Sequence, residues 1–222
     1  AGAYRLIRDL EMGRAPYNAT LVLDAFDGKD PIIVRRDNAP ANAALLATIG
    51  TNPFLASLEV IAPASKRVTR VRTGVEPLPK TKMISDVLLL TKGDPSERPT
   101  LESAAALAFG GADIDGGTTI GLYWENYLKV SPSAPATTSI RATRLNASFL
   151  QRLTSSLKLS KAVQPVSQRF SDPGRPDGGP GRTLALGWPE VPAGDYQLTI
   201  VVQNASGKDS SSTIIKVRDK NQ

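Results

Sequence analysis

Short runs rich in valine, isoleucine, leucine and threonine recur along the chain between glycine, proline, asparagine and aspartate. That alternation of apolar runs and turn formers predicts a mainly β protein. In the first third, TLVLDAF (20–26) and PIIVRR (31–36) flank DGKD, whose Asp27-Gly28 pair suits a tight hairpin turn. FLASLEVIA (54–62) alternates Phe54, Ala56, Leu58 and Val60 against Leu55, Ser57, Glu59 and Ile61. KRVTRVRTGV (66–75) follows as its hairpin partner. Between the two pairs, APANAALLATIG (39–50) joins helix formers to a terminal glycine, which predicts a short crossover helix with a loop as the alternative.

VEPLPKTKM (75–83) carries two prolines and cannot be a central strand, so it reads as a linker. It divides the chain into an N-terminal β-sandwich over 1–82 and a C-terminal one over 83–222. The second part offers ISDVLLLTK (84–92), TTIGLYWENYLKV (118–130), TTSIRATRL (137–145), RTLALGW (182–188), DYQLTIVVQ (195–203) and SSTIIKVRD (211–219) as strands. ASFLQRLTSSLKL (147–159) competes as a helix through Phe149, Leu150, Leu153 and Leu157. SDPGRPDGGPG (171–181) is too rich in glycine and proline for regular structure and predicts a long exposed loop. The expected architecture is two tandem antiparallel immunoglobulin-like β-sandwiches of about seven strands each, with one or two short helices. A single larger sandwich with insertions is the alternative.

Composition narrows the chemistry. The 222 residues include no cysteine and no histidine, which removes disulfides, thiolate nucleophiles, imidazole bases and the commonest zinc, copper and haem ligands. The formal charge of +6 favours acidic partners or anionic surfaces. Aromatic residues make up only 5% of the chain, too few for a base-stacking surface, so no nucleic acid is expected. No apolar run approaches the eighteen residues a membrane-spanning helix needs. Phosphate-cradling glycine loops are absent as well.

The most chemically varied stretch is GLYWENY (121–127). A period of two places Ile120, Leu122, Trp124, Leu128 and Val130 on a core face and Tyr123, Glu125, Tyr127 and Lys129 outward. An outward Tyr123, Glu125, Tyr127 row would suit a sugar or a protein, although cross-strand aromatic pairs also support sheets without any ligand. A glycosidase needs a second carboxylate facing the first, and no pattern nominates one. Carboxylates also stand near glycines at Asp24, Asp27, Asp30, Asp113 and Asp115, but without the twelve-residue calcium loop. Turn preferences account for them, so neither a metal nor a cofactor is expected. Ser155 and Lys158 have the S-x-x-K spacing without its companion motifs. Asn18, Asn146 and Asn204 open N-x-[ST] triplets of the kind that accept glycans.

A basic series stands out more: Lys66, Arg67, Arg70 and Arg72 on one expected strand, then Lys80 and Lys82 in the linker. Arg70 and Arg72 share a face. Such a row docks on an acidic protein or an anionic surface, or guards an edge strand against aggregation.

ISDVLLL (84–90), GLYWENY (121–127) and VPAGDYQLTIVVQNASGKDSSSTIIKV (191–217) together resemble the tandem immunoglobulin-like regions of exported proteins from high-GC bacteria, including those that carry the GWxTD domain. The resemblance covers residues 54–92 and 118–218, and GWPE (187–190) lacks the Thr-Asp of the GWxTD motif. It implies a non-enzymatic periplasmic or extracellular module, peripheral to a membrane, that contacts other proteins. The expected function is therefore a structural or accessory interaction subunit of a membrane-associated complex, its partner acidic or membrane-embedded. A respiratory or photosynthetic assembly is one imaginable host. The rival readings are a carbohydrate-binding or adhesion module and a carboxylate-based hydrolase.

Overall fold

The computed structural model describes residues 16–40, 44–50, 52–76, 79, 81–91, 99–109, 113–145 and 166–218. The chain is mainly β and forms two compact units, Ala1–Lys82 with Thr100–Gly111 and Met83–Pro99 with Ala112–Gln222.

In the N-terminal unit, β1 (Tyr17–Asp24), β2 (Ile32–Ala39), β3 (Phe54–Ala62) and β4 (Arg67–Val75) make one antiparallel sheet in the order β2-β1-β3-β4. Both expected hairpins are present. The first turns because Asp24 Oδ1 accepts the Phe26 amide at 2.9 Å and Asp27 Oδ1 accepts the Lys29 amide at 3.2 Å. These short aspartate side chains replace backbone acceptors, so they serve the turn. Alternation brings Leu23, Phe54, Ala56 and Val75 into a small core, with Leu21, Ala25, Ala47 and Ile49 packed against it.

Residues 44–50 are not helical. Ala47 and Ile49 lie two positions apart and both cover the core, a spacing that an extended path satisfies and a helix does not. The loop alternative is therefore the one adopted there, since helix propensity is a weak prior against tertiary packing. A helix occurs instead at α1 (Leu101–Ala106), where no helix was expected. Thr100 Oγ1 accepts the Ser103 amide at 3.2 Å and Ser103 Oγ accepts the Thr100 amide at 3.1 Å, a reciprocal cap closed by serine in place of the usual glutamate or glutamine.

The C-terminal unit contains β5 (Leu88–Leu90), β6 (Asp113–Asp115), β7 (Thr119–Glu125), β8 (Ala136–Arg144), β9 (Ser167–Asp172), β10 (Gly181–Gly187), β11 (Gly194–Asn204) and β12 (Gly207–Arg218). They form a three-stranded sheet, β10-β7-β5, and a five-stranded sheet, β6-β12-β11-β8-β9. All pairs are antiparallel except β6 with β12. Ala136, Thr138, Ile140 and Ala142 on β8 and Tyr196, Leu198, Ile200 and Val202 on β11 are buried at every second position. This is the clean alternation of strands with one face turned to a core.

Several expected strands end early. The segment 84–92 is a strand only at Leu88–Leu90, and 118–130 leaves the ladder after Glu125. The segment 171–181 is shorter as a loop than its composition suggests, because Ser171 and Asp172 close β9 and Gly181 opens β10. Asp172 is buried, so the whole segment is not exposed. Among the described residues, the N-terminal unit has four strands in one sheet, against about seven expected. The expected helix at 147–159, with Ser155 and Lys158, lies outside the described residues, as does Asn146.

Candidate functional site

Tyr123, Glu125 and Tyr127 do come together, but not as an outward row. Tyr123 is only 2% exposed, and with Ile120, Gly121, Leu122 and Trp124 buried as well, both faces of β7 are covered. Period two reads one strand's own alternation, so it could not reveal that the second face is covered too. Glu125 Oε1 accepts the Tyr123 hydroxyl at 3.0 Å, and Oε2 accepts the Tyr127 hydroxyl at 2.5 Å. Two phenols thus occupy the two oxygens of one carboxylate.

The backbone around this clamp is equally fixed. The Ser85 amide donates to the Glu125 carbonyl at 3.0 Å, the Glu125 amide donates to Ser85 Oγ at 2.8 Å, and the Tyr127 amide donates to the Met83 carbonyl at 2.8 Å. Burial and then the neighbouring Glu125 carboxylate push the Tyr127 hydroxyl well above the usual phenol range. The arrangement locks the end of β7, with a phenol on each carboxylate oxygen. Leu122 and Trp124 are buried as expected.

A second polar cluster, which the sequence reading missed, holds the start and end of the glycine- and proline-rich loop. Asp172 Oδ2 accepts Asn126 Nδ2 at 3.0 Å and Arg182 Nε at 2.8 Å, while Oδ1 accepts the Gly174 amide at 2.9 Å. Burial works to raise the Asp172 carboxyl, but the donors from Arg182, Asn126 and Gly174 outweigh it and hold the group below the usual range. Arg182 Nη1 also donates to the carbonyls of Gly179 and Gly181. Arg175 Nη1 donates to the Pro99 carbonyl at 2.7 Å, and that carbonyl leaves no room for a Cβ at Gly181. Asp177 directly precedes the Gly178-Gly179 pair, and its carboxylate meets Arg175 at 2.5 Å.

Two of the acidic residues near glycines take structural partners: Asp113 Oδ2 meets Arg218 Nη2 at 2.7 Å and Asp27 Oδ2 meets Lys29 Nζ at 3.2 Å. Hydrogen bonding from Lys29 lowers the Asp27 carboxyl.

The basic series is dispersed. Lys66 sits in the β3–β4 turn with a left-handed φ of 54°, and Arg67 lies on the strand face opposite Arg70 and Arg72. Lys82 lies beyond β4, and Lys80 falls outside the described residues. Arg70 and Arg72 do share a face of β4, an edge strand, and Arg70 Nη2 meets Glu59 Oε1 at 2.6 Å. Registration across the sheet adds Arg35 of β2 to the same face, a neighbour visible in sequence only once the strands are paired. No family model matches the chain, and no curated protein matches its sequence.

Proposed function

We propose that this chain is a non-catalytic structural or accessory subunit of an extracytoplasmic, membrane-associated protein complex, and that it works by holding a protein partner. The observation that carries this reading is the face of the N-terminal sheet that bears Arg35, Arg70 and Arg72 beside exposed Ile33, Ile61 and Val68. A surface that mixes arginine with open aliphatic side chains has the composition of a contact surface, where arginine supplies directional pairing and apolar area supplies adhesion.

The C-terminal unit is read as an immunoglobulin-like sandwich that presents this module. Support comes from the Trp188–Tyr196 edge-on ring contact, with centroids 5.8 Å apart, and from the Asn126–Asp172 hydrogen bond between residues of the two sheet systems. Membership of the group that resembles GWxTD-carrying exported proteins belongs to the same proposal. The sugar-binding alternative loses its central feature, since Tyr123 is buried and the Glu125 oxygens are engaged by phenols.

Co-purification from native membranes at low and moderate salt tests the reading. The expected result is a defined protein partner that is retained at low salt and lost as salt rises. A chain that leaves the membrane alone at every salt concentration overturns it.

A further inference from the structure

The register of the five-stranded sheet writes three full rows across β12, β11, β8 and β9. The first is Ser212, Thr199, Arg141 and Ser167. The second is Ser210, Val201, Ser139 and Arg169, and the third is Lys208, Gln203, Thr137 and Ser171. A fourth, shorter row contains Ile214, Gln197 and Thr143. Buried Leu198, Ile200 and Val202 have the opposite parity, so these rows lie on the side away from the core.

Of these fifteen positions, eight carry hydroxyls, two carry amides, three carry cations and none carries a carboxylate. Arg141, Arg169 and Lys208 are exposed, and none of them has a carboxylate partner among the described residues. Asp172 and Asp209, on the same strands, belong to the opposite parity: Asp172 meets Asn126 and Arg182, and Asp209 Oδ2 accepts the Met83 amide at 2.8 Å. The strand carboxylates on the outer side are Asp113, Asp115 and Asp195, which stand beyond the fourth row in register with Arg218 and Lys216. The four rows are therefore net +3, and the whole outer side, with five cations against three carboxylates, is net +2. The connection from β8 to β9, residues 145–166, contains no aspartate or glutamate.

We propose that this side of the sheet binds an acidic polysaccharide in which carboxylate-bearing rings alternate with neutral ones. Its carboxylates pair with Arg141, Arg169 and Lys208, and its hydroxyls with the serine, threonine and glutamine side chains between them. The site goes beyond the partner-protein reading above and is separate from the Glu125 clamp, whose strand belongs to the other sheet of this unit. A side-chain hydroxyl both donates and accepts, which suits a ligand that is itself dense in hydroxyls. Thr199 Oγ1 and Ser212 Oγ, 2.9 Å apart on neighbouring strands, already show that pairing. Arginine adds direction, because its guanidinium takes a carboxylate through two parallel hydrogen bonds. Strand spacing and rise place the Cα positions of Arg141 and Arg169 ~8 Å apart and Lys208 ~16 Å from each, with neutral polar side chains between. Widely spaced charge among hydroxyls is the pattern that alternating acidic and neutral rings present.

A protein partner fits this side less well. Val201 and Ile214 are the only apolar residues among the fifteen, and none is aromatic, whereas protein contacts centre on apolar and aromatic side chains. Single-stranded nucleic acid calls for an aromatic platform and carries a phosphate every ~3.4 Å, denser than these cations.

Amide shifts of the full chain are to be followed by NMR during titration with a hyaluronan oligosaccharide of eight rings, which carries a carboxylate on every second ring. A neutral dextran oligosaccharide of the same length and a hexaglutamate peptide serve as comparisons. Saturable shifts confined to β8, β9, β11 and β12 are expected, with at least fivefold weaker binding in the double variant Arg141→Gln/Arg169→Gln. Binding should be unchanged in Lys29→Gln/Arg36→Gln, which removes the same charge from exposed positions of the N-terminal unit. A circular dichroism spectrum matching the parent checks that each double variant is folded. The proposal is overturned if hyaluronan gives no saturable shifts on these strands, if Arg141→Gln/Arg169→Gln binds as well as the parent, or if Lys29→Gln/Arg36→Gln is weakened as much. It is overturned as well if dextran perturbs the same amides as strongly, which removes the carboxylates from the account, or if hexaglutamate does, which leaves charge alone and returns this side to an acidic protein.

Discussion

The two units use the same strand alternation to different ends. In the C-terminal unit, β8 and β11 bury every inward position, and β7 buries both faces through Ile120, Leu122 and Trp124 on one side and Gly121 and Tyr123 on the other. In the N-terminal unit the core residues on β1, β3 and β4 are Leu23, Phe54, Ala56 and Val75, and β2 is exposed along most of its length. Burial of apolar area is the main source of stability, so the C-terminal unit is the more strongly specified by packing. The N-terminal unit leaves Ile33, Ile61 and Val68 in water, where side chains add little to folding and are available for contact.

The largest expected effect comes from Trp124→Ala, which should cost ~4 kcal/mol because the buried ring leaves a cavity that its neighbours only partly fill. In urea, the C-terminal unit's transition should move while the N-terminal unit's holds. An equal loss in both units would break the contrast between them.

Arg182→Ala comes next, at ~3 kcal/mol, because it leaves the Asp172 carboxylate buried with one fewer donor. The same carboxylate sets a pH dependence. Its folded pKa is lowered, so the stability it contributes is present above the unfolded value near 3.9 and is lost as pH falls through the folded value. An Asp172→Asn variant should show a flatter stability curve below about pH 4 than the parent; identical acid unfolding of the two proteins would remove Asp172 from the account.

The smallest effect belongs to Val68→Thr, which should change stability by no more than ~0.5 kcal/mol because the side chain is 67% exposed. Thermal unfolding measures this. A loss of more than about 5 °C, beyond the shift such a small change implies for a unit of this size, would mean that the open face is part of a packed core after all.

The hairpins were legible because each part of their signal is local: turn-forming aspartates, then a clean period of two on either side. The buried Tyr123 was not, because a period of two tells nothing of what covers a strand's second face. β9 escaped notice because Ser167, Gln168 and Arg169 make it an edge strand of exposed polar residues. α1 escaped because its cap pairs threonine with serine. Within the candidate face, Arg70 and Arg72 were legible from their spacing of two, whereas Arg35 joined them only through the pairing of Thr20 with Glu59 and of Glu59 with Arg70. Periodicity tells which residues share one strand's face; only register tells which strands share it.

The loop before β10 looks in sequence like a string of interchangeable small residues. Gly174 takes a φ of +82°, with the Val130 side chain 2.8 Å from where a Cβ would stand, and Gly181 is pressed against the Pro99 carbonyl that Arg175 holds. Under random mutation these two letters should drift least in the segment, for unlike reasons: one is fixed by backbone handedness as well as space, the other by space alone. What resembles low information is, at those positions, close to a single permitted spelling.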